Sequence, residues 1–355
     1  MTTTSDDIYM KRCIQLAQIG QGYVSPNPMV GAVVVYQNKI VGEGYHWQYG
    51  ESHAEVNALK NISDDILHDC TLYVNLEPCS HHGKTPPCAD LIISKRIKRV
   101  VVGTLDPFEK VSGNGIRKLQ NAGIETSLNH CVEQCNNLNK RFFTNVIKKR
   151  PFIILKHAQT SNGFIGRTEN STNESRLISN EYSQRLTHRW RTEESSILVG
   201  ARTALLDNPH LDARYYAGKP PIRIVIDNDL KTPLTHHIFN SKQRTIIFSK
   251  ANKTPKIENV EFINYSEQEI NFLPFLLQEL LQRNIQSVLV EGGAKTLQSF
   301  IDKGLWDEAR IYTAAFEWTD GIKAPTLSNT SELIKTEKIH TDILQYYKNN
   351  QSTCY

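Results

Sequence analysis

Apolar positions along the first half of the chain change period several times, and each change marks an element. Met10, Cys13, Ile14 and Ala17 recur at three- and four-residue steps, which predicts one face of a helix closed by Gly20. PNPMVGAVVVY then reads as a turn running into a buried strand, with IVGEGYH after a hairpin-like break at Asn38-Lys39. A helix start near Ser52 leads to the strand TLYVNLEPC, the helix ADLIISKR, the strand RVVVG and the helix GIRKLQNAGIE with its glycine stop. Strands alternating with helices predict an α/β layer with a largely parallel centre.

The pattern breaks at NKRFFTNVIKKRP, and Pro151 opens a second series. FIILK, SSILVG, PIRIVID, TIIF, SVLVEGG and ARIYTA read as strands, separated by helical stretches such as NEYSQRLTHRWR and PFLLQELLQRN. A chain of 355 residues is long for one core. We therefore expect two α/β domains, residues 1–147 and 148–355. The tail QYYKNNQSTCY carries no readable pattern, and Cys354 in it is expected to be incidental.

Composition narrows the function classes. Lys and Arg total 41 against 37 Asp and Glu, a net charge of +4 with no concentrated basic patch, so neither nucleic acid nor a membrane surface is the expected partner. Runs such as Lys148-Lys149-Arg150 read as solvated surface. The start MTTTSDDIYMKRC is polar and acidic, unlike a signal peptide, and no apolar run approaches the ~18 residues that span a bilayer. Seven cysteines, an odd number without an export signal, argue for free thiols in a reducing compartment. A cytoplasmic location is expected, and a homo-oligomer is compatible with the sequence.

Free thiols can bind metal, which directs attention to SHAE at residues 52–55 and to EPCSHHGKTPPC. Ser52-His53-Ala54-Glu55 fits the S-x-x-E capping box, in which serine and glutamate close a helix start. It also fits catalytic zinc, which takes three protein ligands and keeps one position open for water. His53, Cys79 and Cys88 supply one imidazole and two thiolates, and Glu55 suits a proton shuttle. Residues i and i+2 diverge on a regular helix, so His53 and Glu55 converge only if the helix begins there. The order H-x-E…P-C…C is a zinc-deaminase signature. Eight residues, SHHGKTPP, separate the cysteines where two are usual, and His81 or His82 in that insert could stand in for Cys88. Pro86-Pro87 favour Cys88, since proline suits a first helical turn. Cys13 and Cys70 read as core residues, and Cys131 with Cys135 as one helical face. In the second half VEGGAKTL, a strand ending in two glycines before a helix, lets backbone N–H groups approach a phosphate.

SPNPMVGAVVV, GEGYH, HAE and EPCSHHGKTPPC, followed by LVGARTALLDNPHLDAR, PIRIVID and VEGGAKTL, resemble the family of bifunctional deaminase–reductases of riboflavin biosynthesis. The resemblance covers nearly the whole chain. It implies an N-terminal cytidine-deaminase-like three-layer α/β/α domain, which deaminates 2,5-diamino-6-(5-phosphoribosylamino)pyrimidin-4-one hydrolytically with Zn²⁺. It implies a C-terminal dihydrofolate-reductase-like α/β domain, which reduces the ribosyl arm with NADPH to give 5-amino-6-(5-phosphoribitylamino)uracil. Zinc falls to His53, Cys79 and Cys88, with Glu55 as proton donor. Asn27 becomes a substrate contact, an assignment that competes with an ordinary turn residue. NADPH is assigned to Ala158, Thr203, Asp207, Gly293, Ala294, Lys295, Thr296, Leu297, Gln298 and Ser299. Substrate is assigned to Ser175, Arg191, Leu211, Arg214 and Glu291, where both arginines suit a phosphate.

The chain departs from the family pattern in its second half. It reads Thr160-Ser161-Asn162-Gly163 where S-L-D-G is usual, Leu177 where a tryptophan is usual, and Asn228 where a serine is usual. The alternative reading is therefore a deaminase with a catalytically silent C-terminal domain. A binding protein built on a closed four-ligand zinc module is a further alternative, and it leaves Glu55 without a chemical role. No residue stands out as general acid for the reduction.

Overall fold

The computed structural model describes residues 5–81, 86–108, 112–168, 177–251, 254–266 and 271–352. The chain parts into two units between Lys149 and Arg150.

The first unit contains α1 (Ser5–Gln18), β1 (Gly31–Tyr36), β2 (Lys39–Tyr45), α2 (Ala54–Leu59), α3 (Asp64–Leu67) and β3 (Thr71–Leu76). It continues with α4 (Cys88–Ser94), β4 (Arg99–Thr104), α5 (Asn114–Asn121), β5 (Glu125–Ser127), α6 (Val132–Leu138) and α7 (Lys140–Lys148). The sheet runs β2-β1-β3-β4-β5. Only β3, β4 and β5 are parallel, because β1 meets both β2 and β3 antiparallel, so the expected parallel centre is confined to one half of the sheet. The β1–β2 hairpin turns through Gln37 and Asn38, both at positive φ, as a tight two-residue turn demands.

Side chains alternate across a strand, and this sheet buries both faces. Ala32, Val34, Leu72, Val74, Val100 and Val102 meet Ala58 of α2, Ile92 of α4 and Leu119 of α5. Val33, Val35, Tyr73 and Val101 meet Met10, Cys13, Ile14 and Ala17 of α1, and Cys135 and Leu138 of α6. Three layers result, and two-sided burial explains why AVVV and VVVG read as unbroken apolar runs. A Cβ on Gly44 would lie 2.3 Å from the Ala58 nitrogen, so glycine there lets α2 rest directly on β2.

The second unit contains β6 (Phe152–Gln159), β7 (Phe164–Gly166), α8 (Glu181–Glu193), β8 (Ser196–Gly200), α9 (Ala201–Asp207), β9 (Ile222–Ile226), β10 (Thr245–Ser249) and β11 (Val260–Asn264). After these come α10 (Phe272–Gln282), β12 (Ser287–Val290), α11 (Ala294–Asp302), β13 (Glu308–Thr313), β14 (Ile322–Lys323), β15 (Ser331–Ile339) and β16 (Asp342–Asn349). The main sheet runs β11-β10-β9-β8-β12-β6-β13-β16-β15. It is parallel from β11 to β13, and β16 and β15 close it antiparallel. Leu276, Leu280, Leu297 and Phe300 of α10 and α11 cover one face, while Trp190 of α8 and Ala204 of α9 pack on the other.

The tail differs from its expected idleness. Gln345–Asn349 belong to β16, and Asn349 Nδ2 donates to the Trp306 carbonyl at 2.9 Å. Cys354 lies outside the described residues. Among the described residues no helix is long and apolar enough to cross a membrane.

Candidate active sites

In the first unit β3 runs out through Glu77 and Pro78 to Cys79, while α4 begins at Cys88 directly after Pro87. His53 is the N-cap of α2 and has no side-chain cap bond, so the helix starts at Ala54 and the Ser52 capping box does not form. That start puts Glu55 in the first turn. The ligand atoms of His53, Cys79 and Cys88 lie within 4.8 Å of one another, the only such metal-binding group among the described residues. His53 Nδ1 stands 3.3 Å from Cys88 Sγ and 3.7 Å from Cys79 Sγ. A zinc tetrahedron with one nitrogen and one sulfur has an edge of about 3.6 Å, so the three groups are spaced to hold zinc. His81 is exposed and stands apart from this group, and His82 lies outside the described residues.

Electrostatics separates the two thiols. Cys79 is held well below its ordinary pKa by the Cys88 thiol, and further by His53 and the Cys88 backbone N–H, which donates to its sulfur at 3.3 Å. Cys88, facing that sulfur, is pushed up. Glu55 is 3 % exposed, and burial first, then the charge of Cys79, raises its pKa. His53, Glu55 and Cys79 line a cavity of about 420 Å³ that Asn27, His46, Tyr49, Asp106, Phe108 and Phe142 also line.

Buried asparagines carry Asn27 to this cavity. Asn139 and Met29 exchange two hydrogen bonds, Met29 N to Oδ1 at 2.8 Å and Nδ2 to Met29 O at 2.9 Å. Asn75 accepts from Gly31 N at 2.7 Å and donates to Met29 O at 3.1 Å. Asn27 Nδ2 meets His46 Nε2 at 3.1 Å. On the opposite side the Glu77 carboxylate accepts from the backbone N–H of Asp106, Gly113 and Gly115 at 3.2, 3.0 and 2.9 Å, which ties the Asp106 loop to β3. Burial first, then Glu77, brings the Asp106 carboxyl up to about 6. Sequence reasoning missed His46, Asn75, Glu77, Asp106 and Asn139. The available signal was a polar Asn75 and a charged Glu77 closing an apolar strand.

In the second unit Glu291 follows β12, and Arg191 of α8 clasps it with Nε and Nη2, both at 2.8 Å. Arg191 Nη1 donates to the Asp212 carbonyl at 2.9 Å and faces His188 Nε2 at 3.3 Å. The bidentate phosphate contact expected of Arg191 thus meets a guanidinium already engaged with protein. Its bond to Asp212 holds the loop of Leu211, which is buried at φ 52. Arg214 keeps the more open head group, 45 % exposed, with Asp212 Oδ1 at 2.6 Å. Lys156 on β6, another residue that sequence reasoning missed, lies 3.8 Å from Glu291. Burial lowers its pKa. Burial opposes ionisation of Glu291 too, yet Arg191 and Lys156 outweigh it and bring the carboxyl to about 2. A lysine inside FIILK was a readable sign of a buried charge.

Several residues expected at the cofactor gather where the neighbouring strands β8, β12 and β6 end. Gly293, at φ 65, caps α11, whose first turns are Ala294, Lys295, Thr296, Leu297, Gln298 and Ser299. A Cβ on Gly293 would sit 3.4 Å from Thr203 Oγ1, and one on Gly200 2.5 Å from Thr296 Oγ1, so the starts of α9 and α11 abut. Ala158 lies on β6, and Asp207 closes α9 on the surface. Ser175 lies outside the described residues. Asn162 accepts from Thr160 Oγ1 at 2.7 Å and donates to the Trp318 carbonyl at 2.7 Å. An aspartate could not make that donation, so this departure has a structural partner. Leu177 is 65 % exposed, and Asn228 Oδ1 accepts from the Tyr265 hydroxyl.

Comparison with known proteins covers both units. A family model described as the cytidine and deoxycytidylate deaminase zinc-binding region matches residues 3–104, and one described as the RibD C-terminal domain matches residues 151–317. The riboflavin biosynthesis protein RibD of Aquifex aeolicus is 38 % identical, with 97 % of this chain and 98 % of that protein covered. RibD of Escherichia coli is 35 % identical over 87 % of each chain. Among solved structures, a diaminohydroxyphosphoribosylaminopyrimidine deaminase/5-amino-6-(5-phosphoribosylamino)uracil reductase of Thermotoga maritima superposes with a TM-score of 0.88 at 35 % identity, covering 97 % of this chain and 99 % of that one.

Proposed function

The chain belongs to the RibD family, and from that premise we propose how its two units divide the work, residues 1–147 deaminating and residues 148–355 reducing. The protein is a bifunctional riboflavin-biosynthesis enzyme, a zinc-dependent deaminase and an NADPH-dependent reductase acting on a small phosphorylated pyrimidine. We read the substrate as 2,5-diamino-6-(5-phosphoribosylamino)pyrimidin-4-one, in line with the Thermotoga protein. The observation that carries the deaminase assignment is the His53, Cys79 and Cys88 cluster beside buried Glu55.

One imidazole and two thiolates suit zinc and leave a coordination position open. Bound there, zinc supplies a Lewis acid that lowers the pKa of water. Glu55 takes the proton of the attacking water on its carboxylate and returns it to the nitrogen leaving C2, so that one water enters and one ammonia departs. Burial suits Glu55 to this exchange, because it brings the protonated and ionised forms closer in energy. Asn27 contacts the pyrimidine from the cavity wall.

For the reduction, NADPH supplies the hydride. Gly293 and the exposed N–H groups opening α11 receive its phosphates, and Thr203 and Ala158 flank them. Arg214 takes the substrate phosphate. Lys156 lies two residues before Ala158 and so on the same strand face, and it is our candidate for the proton donor. The silent-domain alternative is not favoured, since RibD relatives match across both units and the Lys156–Glu291–Arg191 cluster is complete.

The test follows ammonia release and NADPH oxidation separately in the purified, zinc-loaded protein given the diaminopyrimidinone phosphate. Both signals are expected. Ammonia without NADPH oxidation would return the silent-domain reading, and no ammonia would remove the deaminase assignment.

A further inference from the structure

His46 follows β2 and is buried, with each ring nitrogen matched to one partner. Nδ1 lies 3.1 Å from the Ser52 carbonyl oxygen, and Nε2 lies 3.1 Å from Asn27 Nδ2. A carbonyl oxygen can only accept, so Nδ1 carries the ring proton. Nε2 of the neutral ring is then a lone pair, and a lone pair selects an N–H. The Asn27 amide therefore turns its nitrogen to His46 and its oxygen away. Among the described residues no hydrogen-bond donor meets Asn27 Oδ1, although Asn27 lines the cavity shared by Glu55 and Cys79.

We propose that His46 is a positioning residue of the deaminase, one that orders the Asn27 amide so that its oxygen faces the cavity and takes an N–H or O–H donor of the substrate. The proposal rests on the deaminase reading of this unit. The Ser52 carbonyl sets the His46 tautomer, the tautomer sets the amide, and the amide sets which polar pattern this corner accepts. A pyrimidine presenting an N–H or amino group is taken, and one presenting a ring lone pair is refused. The competing role is packing, because His46 also stands edge-on to His53 with ring centroids 5.5 Å apart.

A double-mutant cycle separates the two roles. Full-length zinc-loaded protein, His46→Phe, Asn27→Ala and the double variant are assayed for zinc content and for KM and kcat of ammonia release. His46→Phe keeps a ring against His53 but releases the amide. Asn27→Ala should raise KM about tenfold, as loss of one well-aligned hydrogen bond does. His46→Phe should raise KM about three- to tenfold with zinc content and kcat within about twofold of wild type, and the double variant should be no worse than Asn27→Ala alone. His46→Gln, which can still donate and accept, should sit nearer wild type than His46→Phe, and it carries the comparison if the phenylalanine variant does not fold. Zinc loss in a folded His46 variant, an unchanged KM, or single effects that multiply in the double variant would each overturn the proposal. A wild-type protein that binds zinc but releases no ammonia would instead remove the deaminase reading beneath it.

Discussion

Arg191 and Glu291 form a two-armed ion pair, 2.8 Å at each arm, with side chains only 12 and 8 % exposed. Lys156 shares the same carboxylate, so Glu291 balances two buried cations. Glu291→Gln should therefore destabilise the second unit by roughly 3–5 kcal/mol, the usual penalty for stranding a buried charge. Urea unfolding of that unit checks the figure, while zinc content and ammonia release should stay at wild-type levels.

Burial works against the charge of both cations. At Arg191 the Glu291 and Asp212 partners outweigh it, whereas the Lys156 pKa ends below its ordinary value, which fits an ammonium asked to release its proton. Lys156→Met should cut the rate of NADPH oxidation by a factor on the order of 10² or more while leaving ammonia release intact. NADPH oxidation at more than about a tenth of the wild-type rate would return the proton donor to the unassigned state.

His157 gives the second unit a pH signature. Burial brings its pKa down to about 4, against an ordinary value of about 6.5. Between these values the unfolded chain binds the extra proton, so stability rises with pH through this window and is lost as pH falls from about 6.5 towards 4. The contribution at pH 5 relative to pH 7 is on the order of 1–2 kcal/mol. His157→Leu should flatten that dependence in urea midpoints measured at both pH values.

Cys88→Ser should lower zinc content sharply and abolish ammonia release, because His81 stands apart from the ligand group. Metal analysis after dialysis checks this. Full zinc occupancy in the variant would mean that a histidine of the 80–87 insert reaches the metal.

Much of both units is legible in the sequence, for a physical reason. The strands β1, β3, β4, β6 and β8 are buried on both faces, so they stand out as unbroken apolar runs, and α1 shows its periodic face. The pair β15 and β16 escapes this reading because β15 is an edge strand whose burial pattern is mostly exposed. SELIKTEKI therefore carries charges where a central strand would carry valines. The clustering of His53, Cys79 and Cys88 was legible because metal chemistry restricts residue type and order. Their supports were not. His46 meets Asn27 across 19 positions, and Asn139 meets Met29 across 110, so neither pairing leaves a local pattern. The resemblance pointed to Arg191 as a substrate contact, but its engagement with Glu291, 100 positions away, appears only in three dimensions.

Glu55→Gln is the measurement on which the division of labour rests. The variant keeps the size of the side chain and removes its proton exchange. It should bind as much zinc as the wild type, release no ammonia from the diaminopyrimidinone phosphate, and still oxidise NADPH when given the deaminated product. Ammonia release near the wild-type rate, with zinc bound, would contradict the assignment of Glu55 and with it the chemistry proposed for the first unit.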